Sequence, residues 1–234
     1  MRLKPFFSYY GSKWRASKYY PAPEYDTIIE PFAGSACYSL LHHSKNVILY
    51  DIDPVISGVW DWLIHASESD VMNIPDKVGN ISEIENPNAG NLVGFWFTKG
   101  TSAPAKFPRG WAKSGKWDRQ YWGPEIKDRI CRQLEHIRHW RVFNTSYESI
   151  KQETSATWFI DPPYLKQGKH YVFNNIDYHK LGEWCLNRNG QIIVCEQEGA
   201  DWLPFKPFKS VRTLRAVRSS EVVYTLETEP WEHG

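Results

Sequence analysis

Apolar and polar positions along this chain fall into short blocks whose period changes between about two and about 3.6 residues, the mark of strands interleaved with helices. The first block, Tyr25 to Ile29, predicts a buried strand. It runs into the small-residue turn Glu30-Pro31-Phe32-Ala33-Gly34-Ser35-Ala36 and a helical stretch with Leu40 and Leu41 on its apolar side. Asn46 to Tyr50 predicts a second strand, closed by Asp51-Ile52-Asp53-Pro54. Asp53 and Pro54 suit the cap and first position of a helix whose apolar face carries Ile56, Trp60, Leu63 and Ile64. Pro124-Glu125 opens another, with Ile126, Ile130, Leu134 and Ile137 at helical spacing. Strands follow at Arg141 to Asn144, at Trp158 to Ile160 and at Gln191 to Cys195. Asp177 caps a predicted helix bearing Leu181, Trp184 and Cys185. A short helix is expected from Ser17 to Pro21, and residues 211–217 and 221–227 alternate as a terminal hairpin.

From residue 67 to 123 the pattern dissolves, and asparagine, proline and glycine become frequent. Strand–helix alternation around such an insert predicts an α/β, Rossmann-like doubly wound domain made of residues 1–66 and 124–234, with 67–123 as a smaller inserted region.

Composition adds three constraints. Hydrophobic residues make up 41% of the 234, enough for a core and against disorder. Twelve tryptophans exceed what a core needs, so some are expected as exposed stacking surfaces. The net charge is only +1, so any nucleic-acid surface must come from local segregation. Such segregation exists: residues 99–122 carry Lys99, Lys106, Arg109, Lys113, Lys116 and Arg119 against the single acid Asp118. Phe107, Trp111, Trp117, Tyr121 and Trp122 are interleaved with them, a mixture that suits phosphate contacts and base stacking. Lys166 and Lys169 add basic groups in a polar loop, 165–175, read as a candidate lid. Cys37, Cys131, Cys185 and Cys195 form no Cys-x-x-Cys pair and read as reduced core thiols. No metal-ligand spacing, apolar leader or membrane-length apolar run is apparent, so a cytoplasmic protein of prokaryotic or viral type is expected, free of metal and membrane.

The strand ends carry the chemistry. In an open α/β sheet ligands sit outside the carboxyl ends of the strands. Gly34 lets a backbone approach a ligand closely, and Asp51, at the end of the next strand, suits a ribose diol. Asp161-Pro162-Pro163-Tyr164 ends a third strand in a stiff turn that gathers a carboxylate, a carbonyl and an aromatic ring. Taken singly, each also suits a plain role as a βα turn, a cap or a core contact.

Together, Tyr9-Tyr10-Gly11-Ser12-Lys13, Glu30-Pro31-Phe32-Ala33-Gly34, Asp51-Ile52-Asp53 and Asp161-Pro162-Pro163-Tyr164 resemble, in order and spacing, the motifs of Dam-type DNA adenine methyltransferases. Ser220 to Tyr224 is a weaker echo of that family's final strand. The resemblance implies a methyltransferase sheet with an inserted DNA-recognition domain, S-adenosylmethionine as cofactor, and double-stranded DNA as partner of a monomer. It implies cofactor contacts from Tyr9, Tyr10, Lys13, Glu30, Pro31, Phe32, Gly34, Asp51, Ile52 and Asp161, and catalysis at Asp161, Pro162, Pro163 and Tyr164. Asp161 and a proline carbonyl would accept the two amino hydrogens of a flipped adenine, and Tyr164 would stack on it. DNA contacts are assigned to Lys99, Lys106, Arg109, Trp111, Lys113, Lys116, Arg119, Tyr121, Lys166 and Lys169. Two departures stand out: Ala36 replaces a second glycine of the cofactor turn, and the insert lacks the usual target-recognition sequence. The same chemistry on cytosine or RNA, a silent DNA-binding module and a glutamine-amide methyltransferase remain alternatives; the last usually begins its turn with Asn.

Overall fold

Ile28, Val47, Leu49, Phe159, Ile193 and Cys195 are buried in one core cluster, and Ile29, Trp158, Ile160, Ile192 and Val194 in another. That division follows from the two-residue period of strands: alternate side chains leave one sheet on opposite faces. The computed structural model describes residues 2–108, 121–151, 155–166, 168–212 and 218–226. Its strands are β1 (Thr27–Glu30), β2 (Asn46–Asp51), β3 (Arg141–Asn144), β4 (Ala156–Ile160), β5 (Gly190–Gln197), β6 (Lys206–Arg212) and β7 (Arg218–Leu226). They form one sheet in the order β3-β2-β1-β4-β5-β7-β6. The pairings among β1 to β5 are parallel, and β7 runs antiparallel to both its neighbours. The strand order reverses between β1 and β4, and a doubly wound sheet opens its crevice at such a switch point.

Six α-helices are described: α1 (Cys37–Leu41), α2 (Pro54–His65), α3 (Glu68–Asn73), α4 (Pro87–Phe97), α5 (Pro124–Leu134) and α6 (Tyr178–Leu186). The predicted caps form: Asp53 accepts from the Val55 amide at 2.8 Å and Asp177 from the Lys180 amide at 3.2 Å. Leu181 and Cys185 of α6 join one core cluster, while the apolar residues of α2, α4 and α5 join the other.

Three local expectations are revised. The helix expected from Ser17 to Pro21 is a single 3₁₀ turn, Ser17–Tyr19. The first hairpin strand begins earlier, at Lys206, and residues 213–217 lie outside the described ones. Within 67–123, where periodicity is weak, α3 and α4 form. Asn86 caps α4 by accepting from the Asn88 and Ala89 amides, and Pro87 opens it. Its periodicity is faint because it is buried on nearly every side, and its glycines serve close packing. A Cβ on Gly94 would lie 2.7 Å from Pro104 Cβ and 2.8 Å from the Ala105 carbonyl oxygen. Phe95, Trp96 and Phe97 share a core cluster with Ile28 and Phe159 of the sheet.

The tryptophans bear on the expected stacking surfaces. Every described one is buried or half-buried, and none is an exposed stacking surface. Burial is tolerated because the indole N–H groups find acceptors. Trp60, Trp96, Trp122, Trp140 and Trp158 donate to the carbonyls of Gly34, Phe6, Pro75, His43 and Asn189. Trp111, Trp117 and Trp231 lie outside the described residues. Among the described residues no helix is long and apolar enough to cross a membrane, and no group of three or more His, Cys, Asp or Glu could hold a metal.

Candidate active site

A cleft of about 430 Å³ opens at the switch point, within the size range of small-molecule sites. Its floor is the turn between β1 and α1. Gly34 (φ +44°) and Ala36 (φ +46°) both adopt left-handed backbone there. For Gly34 this is unstrained, and the missing side chain leaves room for Tyr9, whose ring would lie 3.1 Å from a Cβ. Ala36, standing in the glycine position of the resembling motif, takes the conformation a glycine would adopt freely. The turn is tied at both ends of Gly34. Its amide donates to Asp51 Oδ2 at 3.0 Å, and its carbonyl accepts from Trp60 Nε1 at 2.8 Å.

Asp51 ends β2 and faces the cleft, with its Oδ1 accepting from the Asp53 amide at 3.0 Å. Burial pushes its carboxyl up to about 7, and the two amide bonds oppose the rise. Glu30 ends β1. It is only 2% exposed, and its Oε1 accepts from the Ser39 amide at 2.8 Å, so one oxygen ties α1 to the strand. Burial raises Glu30 to about 8.

Asp161 comes directly after β4 and lines the cleft. Its Oδ1 is ion-paired with Lys13 Nζ at 2.8 Å, and burial raises it to about 6 although the Lys13 charge pulls the other way. Burial works against the Lys13 charge, but Asp161, Tyr164 and Glu221 outweigh it and hold the ammonium well above its ordinary value. Lys13 also donates to the Gly11 carbonyl at 3.1 Å and lies 4.7 Å above the Tyr164 ring. Next to the turn, Tyr178 donates to the Pro163 carbonyl at 2.5 Å, the Gly168 amide donates to the Tyr164 carbonyl at 2.6 Å, and Glu196 accepts from the Leu165 amide at 3.2 Å. The Asp-Pro-Pro-Tyr turn is therefore braced from α6, from the segment after it and from β5.

All ten residues expected at a cofactor line this cleft: Tyr9, Tyr10, Lys13, Glu30, Pro31, Phe32, Gly34, Asp51, Ile52 and Asp161. Of the four turn residues, Asp161 and Pro163 line it, but Pro162 and Tyr164 are not among its walls. The Tyr164 ring packs beneath Lys13 and against the core, and its buried hydroxyl finds no hydrogen-bond partner among the described residues. Pattern reading missed Ser146, Tyr147 and Glu148 at the same rim, where Ser146 caps the 3₁₀ turn Tyr147–Ser149 that follows β3. The rule that ligands sit beyond the carboxyl ends of strands, applied to β3 as to β1, β2 and β4, points to them. Pattern reading also missed Ser12 and Cys37, where Ser12 Oγ meets Cys37 Sγ at 3.1 Å.

The expected lid contributes Tyr171 to Asn175 to the walls. It meets the N-terminal loop through Tyr171, whose hydroxyl donates to the Tyr10 carbonyl at 3.4 Å, and through Tyr10–His170 and Tyr10–Tyr171 ring contacts. The start of the basic segment abuts the same rim: the Tyr10 amide donates to the Thr101 carbonyl at 3.1 Å, and Ser102 Oγ donates to the His170 carbonyl. Lys99 and Lys106 are exposed, with Lys99 5.2 Å above the half-buried Tyr121 ring. Lys166 is exposed and donates to the Glu198 carbonyl at 3.4 Å. Arg109, Trp111, Lys113, Lys116 and Arg119, and the Lys169 side chain, lie outside the described residues.

No family model and no curated protein matches this chain. Among solved structures, a candidate methylase from Haemophilus influenzae aligns over 86% of this chain and 80% of its own, at 11% identity and a TM-score of 0.35. At that distance the likeness carries no inference about activity.

Proposed function

We propose that this protein is an S-adenosylmethionine-dependent methyltransferase acting on the exocyclic amino group of adenine in DNA. The observation that carries it is the convergence of Asp161, Asp51 and the Gly34 turn, each at a different strand end, on one cleft at the switch point of the sheet. The residues suit the cofactor. A carboxylate has about four acceptor sites; Asp51 uses two on the Gly34 and Asp53 amides and keeps two for a ribose diol. Asp161, Glu148 and Asp177 line the cleft against the single lysine Lys13, an excess of acidic groups that favours a ligand carrying positive charge. Gly34 and its neighbours would hold the methionine end, and Ile52 and Tyr147 the base. When bound, S-adenosylmethionine supplies a methyl group activated by its sulfonium.

The chain's own residues do the rest. Asp161 accepts a hydrogen bond from the target amino group, and the Pro162 carbonyl is the second acceptor. The neighbouring Pro163 and Tyr164 carbonyls are already engaged by Tyr178 and the Gly168 amide. Two fixed acceptors localise the nitrogen lone pair, which adenine otherwise delocalises into its ring. For Tyr164 to stack on a flipped base, its ring must leave its place under Lys13. Support for a nucleic-acid substrate comes from the basic aromatic segment 99–122, whose first residues adjoin the cleft rim. The reading is tested by incubating the protein with DNA and labelled S-adenosylmethionine and identifying the modified nucleoside by mass spectrometry. N6-methyladenine is expected; a methylated cytosine, a methylated ribonucleoside or no transfer would overturn it.

A further inference from the structure

Glu221 sits on β7, with its side chain 12% exposed, and is not among the residues lining the cleft. Its Oε1 lies 3.9 Å from Lys13 Nζ, and its Oε2 accepts from the Tyr20 hydroxyl at 3.2 Å. One buried cation therefore faces two carboxylates, Asp161 at 2.8 Å and Glu221 at 3.9 Å. Charges in an interior are stable only when balanced. A lone structural lysine would need one counter-ion, and a second leaves the cluster with a surplus negative charge. The surplus vanishes when one of the two carboxylates carries a proton, and of the two only Asp161 lines the cleft, where a substrate proton can reach it.

We infer that Glu221 is a positioning residue for the methyl-transfer site, the second counter-ion of Lys13, which lets Asp161 take up the proton leaving the target amino group without stranding the lysine charge in the interior. This rests on the function proposed above. In that step an amino N–H bond breaks, its electron pair stays on the nitrogen, and the proton forms an O–H bond on Asp161. Lys13 then remains paired with Glu221 until the proton passes to solvent through the cleft.

The other groups around Asp161 do not substitute. Glu196, from β5, is committed to donors from Leu165, Gln197 and Trp202. Glu30, from β1, is tied to Ser39. Cys195 of β5 and the tyrosines Tyr9, Tyr20, Tyr164 and Tyr171 also lie within electrostatic reach, and burial raises all five, so they stay neutral near pH 7.

The test is an NMR titration of the Asp161 carboxyl in the ligand-free protein, alongside turnover. Glu221→Gln keeps the shape and the Tyr20 acceptor but removes the charge. Its Asp161 midpoint is expected to fall by about one pH unit, a tenfold loss of proton affinity. Turnover is expected to fall about tenfold, with its acid limb moving the same way and the affinity for S-adenosylmethionine unchanged. Glu221→Asp, which retains the charge, restores most of both. Glu221→Ser is the second neutral variant. An unmoved midpoint in the neutral variants, or loss of the fold in both, overturns the inference. A midpoint that moves in a protein that methylates nothing refutes the proposed function instead.

Discussion

Replacing Asp161 by Asn is the sharpest perturbation of the proposed chemistry, because it preserves shape and removes only the proton acceptor. The fold is expected to survive. Without the aspartate, Lys13 Nζ keeps Glu221 at 3.9 Å and the Gly11 carbonyl at 3.1 Å, so the buried cation retains both a counter-ion and an acceptor. The cofactor contacts assigned to Asp51 and the Gly34 turn are untouched and only the Asp161 charge is lost, so affinity for S-adenosylmethionine should fall by no more than about tenfold, ~1.4 kcal/mol. Turnover should not survive. A positioned general base contributes about 10²–10⁴-fold, or roughly 3–5 kcal/mol of barrier. Asn also offers an amide N–H towards Lys13 or the substrate, which repels one of them. Single-turnover transfer of a labelled methyl group, calorimetric cofactor binding and thermal melting separate the three quantities. Turnover within tenfold of the parent, with normal binding and melting, would refute the role given to Asp161.

Burial raises Asp161, Asp51 and Glu30 above their unfolded values to about 6, 7 and 8. Groups raised on folding contribute stability that is complete below about pH 4, their unfolded range, and lost as pH rises through the folded values. The ligand-free protein is therefore expected to melt at lower temperature at pH 8.5 than at pH 5.5, and Glu30→Gln should flatten that slope; a flat parent profile would contradict these environments. Turnover should rise with pH through about 6 as Asp161 ionises, and Asp161→Glu should displace that limb. Ala36→Gly relieves a left-handed alanine worth ~1–2 kcal/mol against ~0.5–1 kcal/mol of unfolded-chain entropy, so denaturant unfolding should show a gain of about 0.5–1 kcal/mol. Charge reversal at Arg109, Lys116 and Arg119 is expected to weaken DNA binding steeply at low salt while leaving cofactor binding unchanged, and equal DNA affinity would remove the proposed interface.

The parts of the site legible in the sequence were those written locally. Gly34, Asp51 and Asp161 each come after a short apolar run, so a strand and its end could be read within a few residues, and the switch-point rule then brings such ends together. Helix α4 was illegible because a helix buried on nearly all sides has no polar face to set its period, and its glycines read as loop although they serve close packing. Which tryptophans are core was illegible because composition counts rings and not the carbonyls that await their N–H groups. Lys13 read as a cofactor contact of the N-terminal loop, but its burial and its two counter-ions depend on contacts across the whole chain. No local pattern could announce that Tyr164 packs under that lysine.

The place of β7 in the sheet bears on how the protein is made. Among the described strands it comes last in sequence, yet it lies between β5 and β6. During synthesis the amino-terminal strands emerge first and can pair as they appear. The edge of β5 stays open until residues 218–226 leave the ribosome, and Glu221 arrives with them. Until then Lys13 has its nearer counter-ion, Asp161, but not the second.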